Sequence, residues 1–225
     1  MTFSIAGFCP RSGQYGIALS SSSMAVAARC PWLMSGVGAV SSQNVTLPSI
    51  GPAILQRLAQ HESAGSALKA VMDAEPWADW RQVTVLDRHG QSAVFCGSRT
   101  LGVHHSRQGL NCVAAGNMLA NTGVIEAMVS QFCADTTLAL GDRLIAALQA
   151  GLREGGEAGP VASAGIKIVS SESWPLTDLR IDWHEQDAIG ELARLWQRWQ
   201  PQSEAYLARA INPAEAPRYG VPGDE

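Results

Sequence analysis

The sequence predicts an α+β domain in which two mainly antiparallel sheets stack face to face, with helices on the outside. Three observations predict it. Strand-like segments come in blocks joined by hairpin turn signals, and helical segments come in pairs between those blocks. Strands do not alternate singly with helices, as a doubly wound parallel sheet would require. A chain of 225 residues, 46% of them hydrophobic, sustains one sizeable core.

The elements follow in order. In "TFSIAGF" the apolar Phe3, Ile5 and Phe8 alternate loosely with smaller residues, as in a strand packed on a core. "PRSGQ" is a hairpin turn and "YGIALSSSS" the returning strand. "LMSGVGAVSSQ", Leu33 to Gln43, reads as a third strand, whose glycines mark close approach of another backbone or a ligand. The period then changes: Ile54, Leu55 and Leu58, followed by Leu68, Val71 and Met72, predict two helices broken near Ser63. "QVTVLD" and "SAVFCG" form a hairpin around Asp87 to Gly90, and "LGVHHS" and "LNCVAAG" read as two further strands. "GVIEAMVSQFC" and "LGDRLIAALQAGLREG" are a second pair of helices. "GGEAGPVASAG" is a loop, and "IKIVS" and "LRIDW" are late strands. The last helical region, starting at Asp187, is interrupted at Pro201. Residues 1–211 are read as a single domain and 212–225 as an irregular tail containing Pro213, Pro217 and Pro222.

Composition narrows the function. A net charge of −4 argues against nucleic acid as a partner. No run approaches the ~18 apolar residues of a membrane span, and Arg11 is the first basic residue, so no signal peptide is visible. Five scattered cysteines without a C-x-x-C pair read as free thiols in a reducing cytosol. The expectation is a cytoplasmic protein without metal or cofactor.

Few residues offer chemistry. His104 and His105, adjacent in an expected strand, point to opposite faces and cannot share an ion. Cys112 sits in an apolar strand with no cation to make a thiolate, and is read as core. Trp196 and Trp199 share one helix face, suited to core or oligomer contact, and with the apolar content they lead us to expect a homodimer or larger. In "AAGNMLAN" a strand ends at Gly116 and Asn117, where a backbone N–H and a side-chain amide can converge on an oxyanion; Gly and Asn are also ordinary turn residues. Thr2 would become an N-terminal nucleophile with its own α-amine as base if Met1 were removed, although the octet alone reads more readily as a chance Met-Thr start.

Five segments in this order, "TFSI", "PW…GVGAV…Q", "PS-x-GP", "GNMLA" and "DLRIDWHE-x-x-x-x-ELARL", resemble the DUF1028 family of the N-terminal-nucleophile (Ntn) hydrolase superfamily. The resemblance runs from Thr2 to about Trp199. It implies a four-layer αββα sandwich and amide hydrolysis by an N-terminal residue. On this chain it points to Thr2 as nucleophile, to Gly38 and Gly116–Asn117 as oxyanion donors, and to Ser22, Gln43 and Asn44 as substrate contacts. The chain departs from the family pattern at "AGF" (Ala6 to Phe8), Ser22, Ile50 and Ala115, and has "GGEAG" where "GGDxRG" is usual. Two functions are therefore carried forward. One is an amidohydrolase acting on a small amino-acid-like amide; the other is a catalytically silent member that binds a small ligand or an oligomeric partner.

Overall fold

The computed structural model describes residues 1–222. It is a four-layer αββα sandwich. One sheet has six strands: β1 (Thr2–Cys9), β2 (Gln14–Ser21), β7 (His105–Gly109), β8 (Cys112–Asn117), β9 (Ser163–Val169) and β10 (Thr177–Ile181). The other has four: β3 (Pro31–Met34), β4 (Gly38–Asn44), β5 (Arg81–Asp87) and β6 (Ser92–Cys96). Their orders are β10-β9-β2-β1-β8-β7 and β3-β4-β5-β6, with every pairing antiparallel.

Side-chain alternation assigns each strand two faces. Phe3 and Ile5 of β1 pack under the helices α3 (Gly123–Ala134), α4 (Leu140–Arg153) and α5 (Ala188–Trp199), in a core with Met128, Phe132 and Leu144. On the small sheet, Val40, Val83 and Val85 meet Ile54, Leu58 and Leu68 of α1 (Ile50–Ala59) and α2 (Ala64–Asp73). Between the sheets lies a third core of Ala6, Ile17, Leu19, Ala39, Leu86 and Val113. Ser63 separates α1 from α2 because its hydroxyl accepts the Ser66 N–H as an N-cap. No helix among the described residues is long and apolar enough to cross a membrane.

Two expectations need correction. Leu33 to Gln43 is a hairpin of β3 and β4, not one strand, because the turn closes through Gly36 at φ +68. Only the end of "LGVHHS" is strand: His104 precedes β7, and its ring bonds the Gly102 carbonyl. Trp196 and Trp199 are turned inward. The Trp196 indole lies over Gly141 and donates to Asp142, and Trp199 donates to Thr177 and stacks on Tyr206 of α6 (Ser203–Ile211). The pair thus takes the core alternative of the two expected for it, with Trp199 partly exposed. Of the expected tail, residues 223–225 lie outside the described residues.

Gly38 opens β4 at φ +155, where a Cβ would sit 2.2 Å from the Leu86 carbonyl oxygen. Neither the backbone angle nor the space admits a side chain. Gly38→Ala is expected to cost about 3 kcal/mol of stability, read as a lower urea midpoint. An unchanged midpoint would show that this hairpin is loosely held.

Candidate active site

The inter-sheet layer is apolar at one end and polar at the other. Along β1 the inward residues run from Thr2 and Ser4 to Ala6 and Phe8. Along β4 they run from Ala39 to Ser41 and Gln43, and along β5 from Leu86 to Thr84 and Gln82. Stacking the sheets brings the polar ends together. All of these polar residues are buried.

Side-chain amides bridge the gap. Ser4 Oγ donates to Gln43 Oε1 at 2.7 Å, and Gln43 Nε2 donates to Gln82 Oε1 (2.8 Å) and the Ala115 carbonyl (3.1 Å). Gln82 Nε2 donates to the Gly116 carbonyl at 3.0 Å, and Asn117 Nδ2 donates to Gln82 Oε1 at 3.1 Å. Asn117 lies directly opposite Thr2 across the β1–β8 ladder, so their Cα atoms are about 5 Å apart and their side chains share a face. Asn117 Nδ2 retains a second proton, and its Oδ1 has no partner.

Thr2 is only 6% exposed. Its hydroxyl donates to the Met1 carbonyl and lies 3.3 Å from Ser21 Oγ, which also donates to the Met1 carbonyl. The Met1 side chain rests against Gly159. Behind it, Glu157 is 5% exposed; its Oε2 accepts the Ser22 N–H at 3.0 Å, and its Oε1 has no partner. Burial pushes the Glu157 carboxyl up to about 7, against the pull of the chain's α-ammonium and of Ser22. Backbone bonds from Ala120 to Gly156 and from Ala158 to Met118 fasten this loop to the residues that follow Asn117.

The structure gathers Thr2, Gly116, Asn117 and Ser22 at one end, but not all the sequence candidates. Gly38 pairs with Met34 and Asp87, five residues up β4 from Gln43 and at the far end of the sheet. Its N–H therefore cannot serve Thr2. Gln43 spends its amide on the inter-sheet chain. Asn44 ties Trp80 and Leu101 together through Nδ2 and Oδ1. Both hold the site's walls rather than face a ligand. Ser21, Gln82 and Glu157 were missed. The inward parity of Ser21 with Ile17 and Leu19, and of Gln82 with Leu86, was the available signal. Glu157 was visible only as the acid of "GGEAG".

Other reactive groups lie elsewhere. Burial, reinforced by the Cys133 thiol 3.8 Å away, pushes Cys112 up to about 12 and keeps it protonated. His105 bonds Glu126 at 2.9 Å; it pairs with Gly116, whose outward side meets α3.

A carboxyl held above its ordinary value contributes stability that is full below about pH 4.5 and lost as pH rises through about 7. Glu157→Gln removes that loss. Denaturation at about pH 5 and about pH 8 should show wild type losing on the order of 3 kcal/mol relative to the variant. A pH-independent difference would place Glu157 in contact with solvent.

Comparisons with known proteins come to the same chain-wide pattern. The model of a family described as "Family of unknown function (DUF1028)" matches residues 2–192. No curated protein matches. Among solved structures, protein SPO2555 from Silicibacter pomeroyi, described with the same family model, is 30% identical, covering 88% of this chain and 86% of that one with a TM-score of 0.82. A mutant Anbu from Hyphomicrobium sp. strain MC1 is 11% identical over 91% of this chain and 97% of its own, at TM-score 0.43. Anbu (ancestral beta-subunit) from Yersinia bercovieri is 10% identical over the same shares, at 0.39.

Proposed function

The chain belongs to the DUF1028 family, and from that premise we propose that it is an Ntn-type amidohydrolase in which Thr2, exposed by removal of Met1, is the nucleophile. The observation that carries this reading is the placement of Thr2. A hydroxyl residue heads a central strand, at the buried polar end of the inter-sheet layer, directly opposite Asn117. The sandwich layout and the resemblance of the five sequence segments support it.

The chemistry follows from the groups present. The neutral α-amine takes the Thr2 hydroxyl proton as Oγ1 attacks the amide carbonyl. The second N–H of Asn117 Nδ2 is available to donate to the developing oxyanion, while Gln82 accepts the first and fixes the amide's orientation. The amine returns its proton to the leaving nitrogen, and water then releases the acyl group. The burial of Thr2 and its polar neighbours favours a small substrate, an amino-acid-like amide.

A second reading, a silent member of the fold that binds a small ligand or a further copy, draws on the enclosure of Thr2 beneath Met1. Mass spectrometry separates the two. We expect the purified protein to lack Met1, and a β-lactone to acylate it once, at Thr2. Thr2→Ser should retain labelling and Thr2→Ala abolish it. A retained Met1, or full labelling of Thr2→Ala, excludes the mechanism.

Asn117 gives an independent check. Asn117→Ala should slow acylation by about a hundredfold. An unchanged rate would reduce this residue to a strand-end anchor.

A further inference from the structure

Five cysteines are spread through the chain, and none has a part in the chemistry at Thr2. Three have partners of another kind: Cys9 is bonded to Ser12, Cys30 to the Thr46 hydroxyl and Cys96 to the Gln82 amide. The remaining two face each other. Cys112 and Cys133 are 21 residues apart in sequence, and their sulfurs stand 3.8 Å apart.

Local structure explains the meeting. Cys112 opens β8 and pairs with Gly109 of β7, and Cys133 is the penultimate residue of α3. A Cβ on Gly109 would lie 2.8 Å from the Cys112 sulfur and 3.3 Å from that of Cys133. The glycine thus leaves both sulfurs room over one spot of the strand pair. The two thiols differ in access. Cys112 is fully buried, whereas Cys133 is partly exposed and lines a cavity of about 380 Å³ with Cys9, Arg11, Leu110 and Arg143. A small oxidant in that cavity reaches Cys133 and not Cys112.

We propose that Cys112 and Cys133 form a reversible disulfide site, closed by a hydroperoxide and opened by a thiol reductant. The site stands apart from the reading of Thr2 and does not depend on it. The reaction balances. The Cys133 thiolate attacks one oxygen of hydrogen peroxide, the O–O bond breaks, and the departing hydroxide takes up the thiol's proton as water. Cys133 is then a sulfenic acid. The Cys112 sulfur bonds to the Cys133 sulfur as the S–O bond breaks, and the oxygen leaves with the Cys112 proton as a second water. Each sulfur gives up one electron, and the peroxide takes both. Burial and the neighbouring Cys133 hold the Cys112 thiol up at about 12, so Cys112 reacts second, against a sulfur already activated beside it. Closure brings the sulfurs to about 2 Å. Cys133 supplies that movement from the last turn of its helix, where the backbone is least constrained.

The test is a thiol map of the native full-length protein after brief treatment with hydrogen peroxide. Thiols still free are alkylated in denaturant, and the protein is digested without reduction. We expect a peptide holding Cys112 joined to one holding Cys133, and dithiothreitol should restore both thiols. The linked protein should melt no lower than the reduced form, because a site shaped for the bond closes without distorting the fold. Cys112→Ser should leave Cys133 as a sulfenic acid that dimedone traps, and Cys133→Ser should leave Cys112 reduced. In wild type, both thiols still free, or Cys133 driven to the sulfinic acid beside a free Cys112, would overturn the proposal. So would a link from Cys133 to Cys9, a link between two chains through either cysteine, or a linked form that melts below the reduced one.

Discussion

Everything at the polar end of this sandwich depends on one chain of buried hydrogen bonds, from Ser4 through Gln43 and Gln82 to Asn117. Buried amides must find partners or cost several kcal/mol. The Ser4–Gln43 and Gln82–Asn117 links cross between the sheets, and Gln43–Gln82 joins them along the small sheet, so the two sheets cannot slide without breaking the chain. Gln43 also reaches the Ala115 carbonyl, and Gln82 the Gly116 carbonyl. The small sheet therefore grips β8 by its backbone as well as by Asn117. Because β8 pairs with β1, the same grip sets where Thr2 stands.

The other end of the layer is held differently. Ala6, Ile17, Leu19, Leu86 and Val113 pack without direction, and such packing tolerates small shifts that a hydrogen-bond chain does not. The molecule thus divides the work along each strand. Apolar residues at one end supply adhesion between the sheets, and polar residues at the other supply registration. A reactive site needs the second quality more than the first, because a donor displaced by 1 Å no longer serves the atom it should meet.

The fold was largely legible because its signals are local. Alternation in β1 and β2, helical spacing in α1 to α5, and turn residues at Asp87 to Gly90 each stand alone in the sequence. The errors arose where a neighbour decides. A two-strand hairpin and one long strand look alike through "SGVGAV" until β5 claims Gly38. The site was half legible for the same reason. Thr2 and Asn117 announce themselves by position and type, but their being opposite one another is a fact of register. Gln82 draws its meaning from the facing sheet, and Glu157 from the chain's first residue. Trp196 and Trp199 share a face as their spacing requires, yet only Gly141, Asp142 and Thr177 show that the face is turned inward.

The strand order has a consequence for the newborn chain. β1 and β2 form a local hairpin, but β1 gains its other neighbour only when β8 is made, and β2 waits longer still for β9. During synthesis the first hairpin therefore has two open edges and an apolar face that includes Phe3 and Ile5, a template for unwanted pairing. Distant partners of this kind also slow folding, since long loops close before they are rewarded. The residues of β1 are thus among the last to reach their final surroundings, and Thr2 meets Asn117 only after more than a hundred intervening residues have been made.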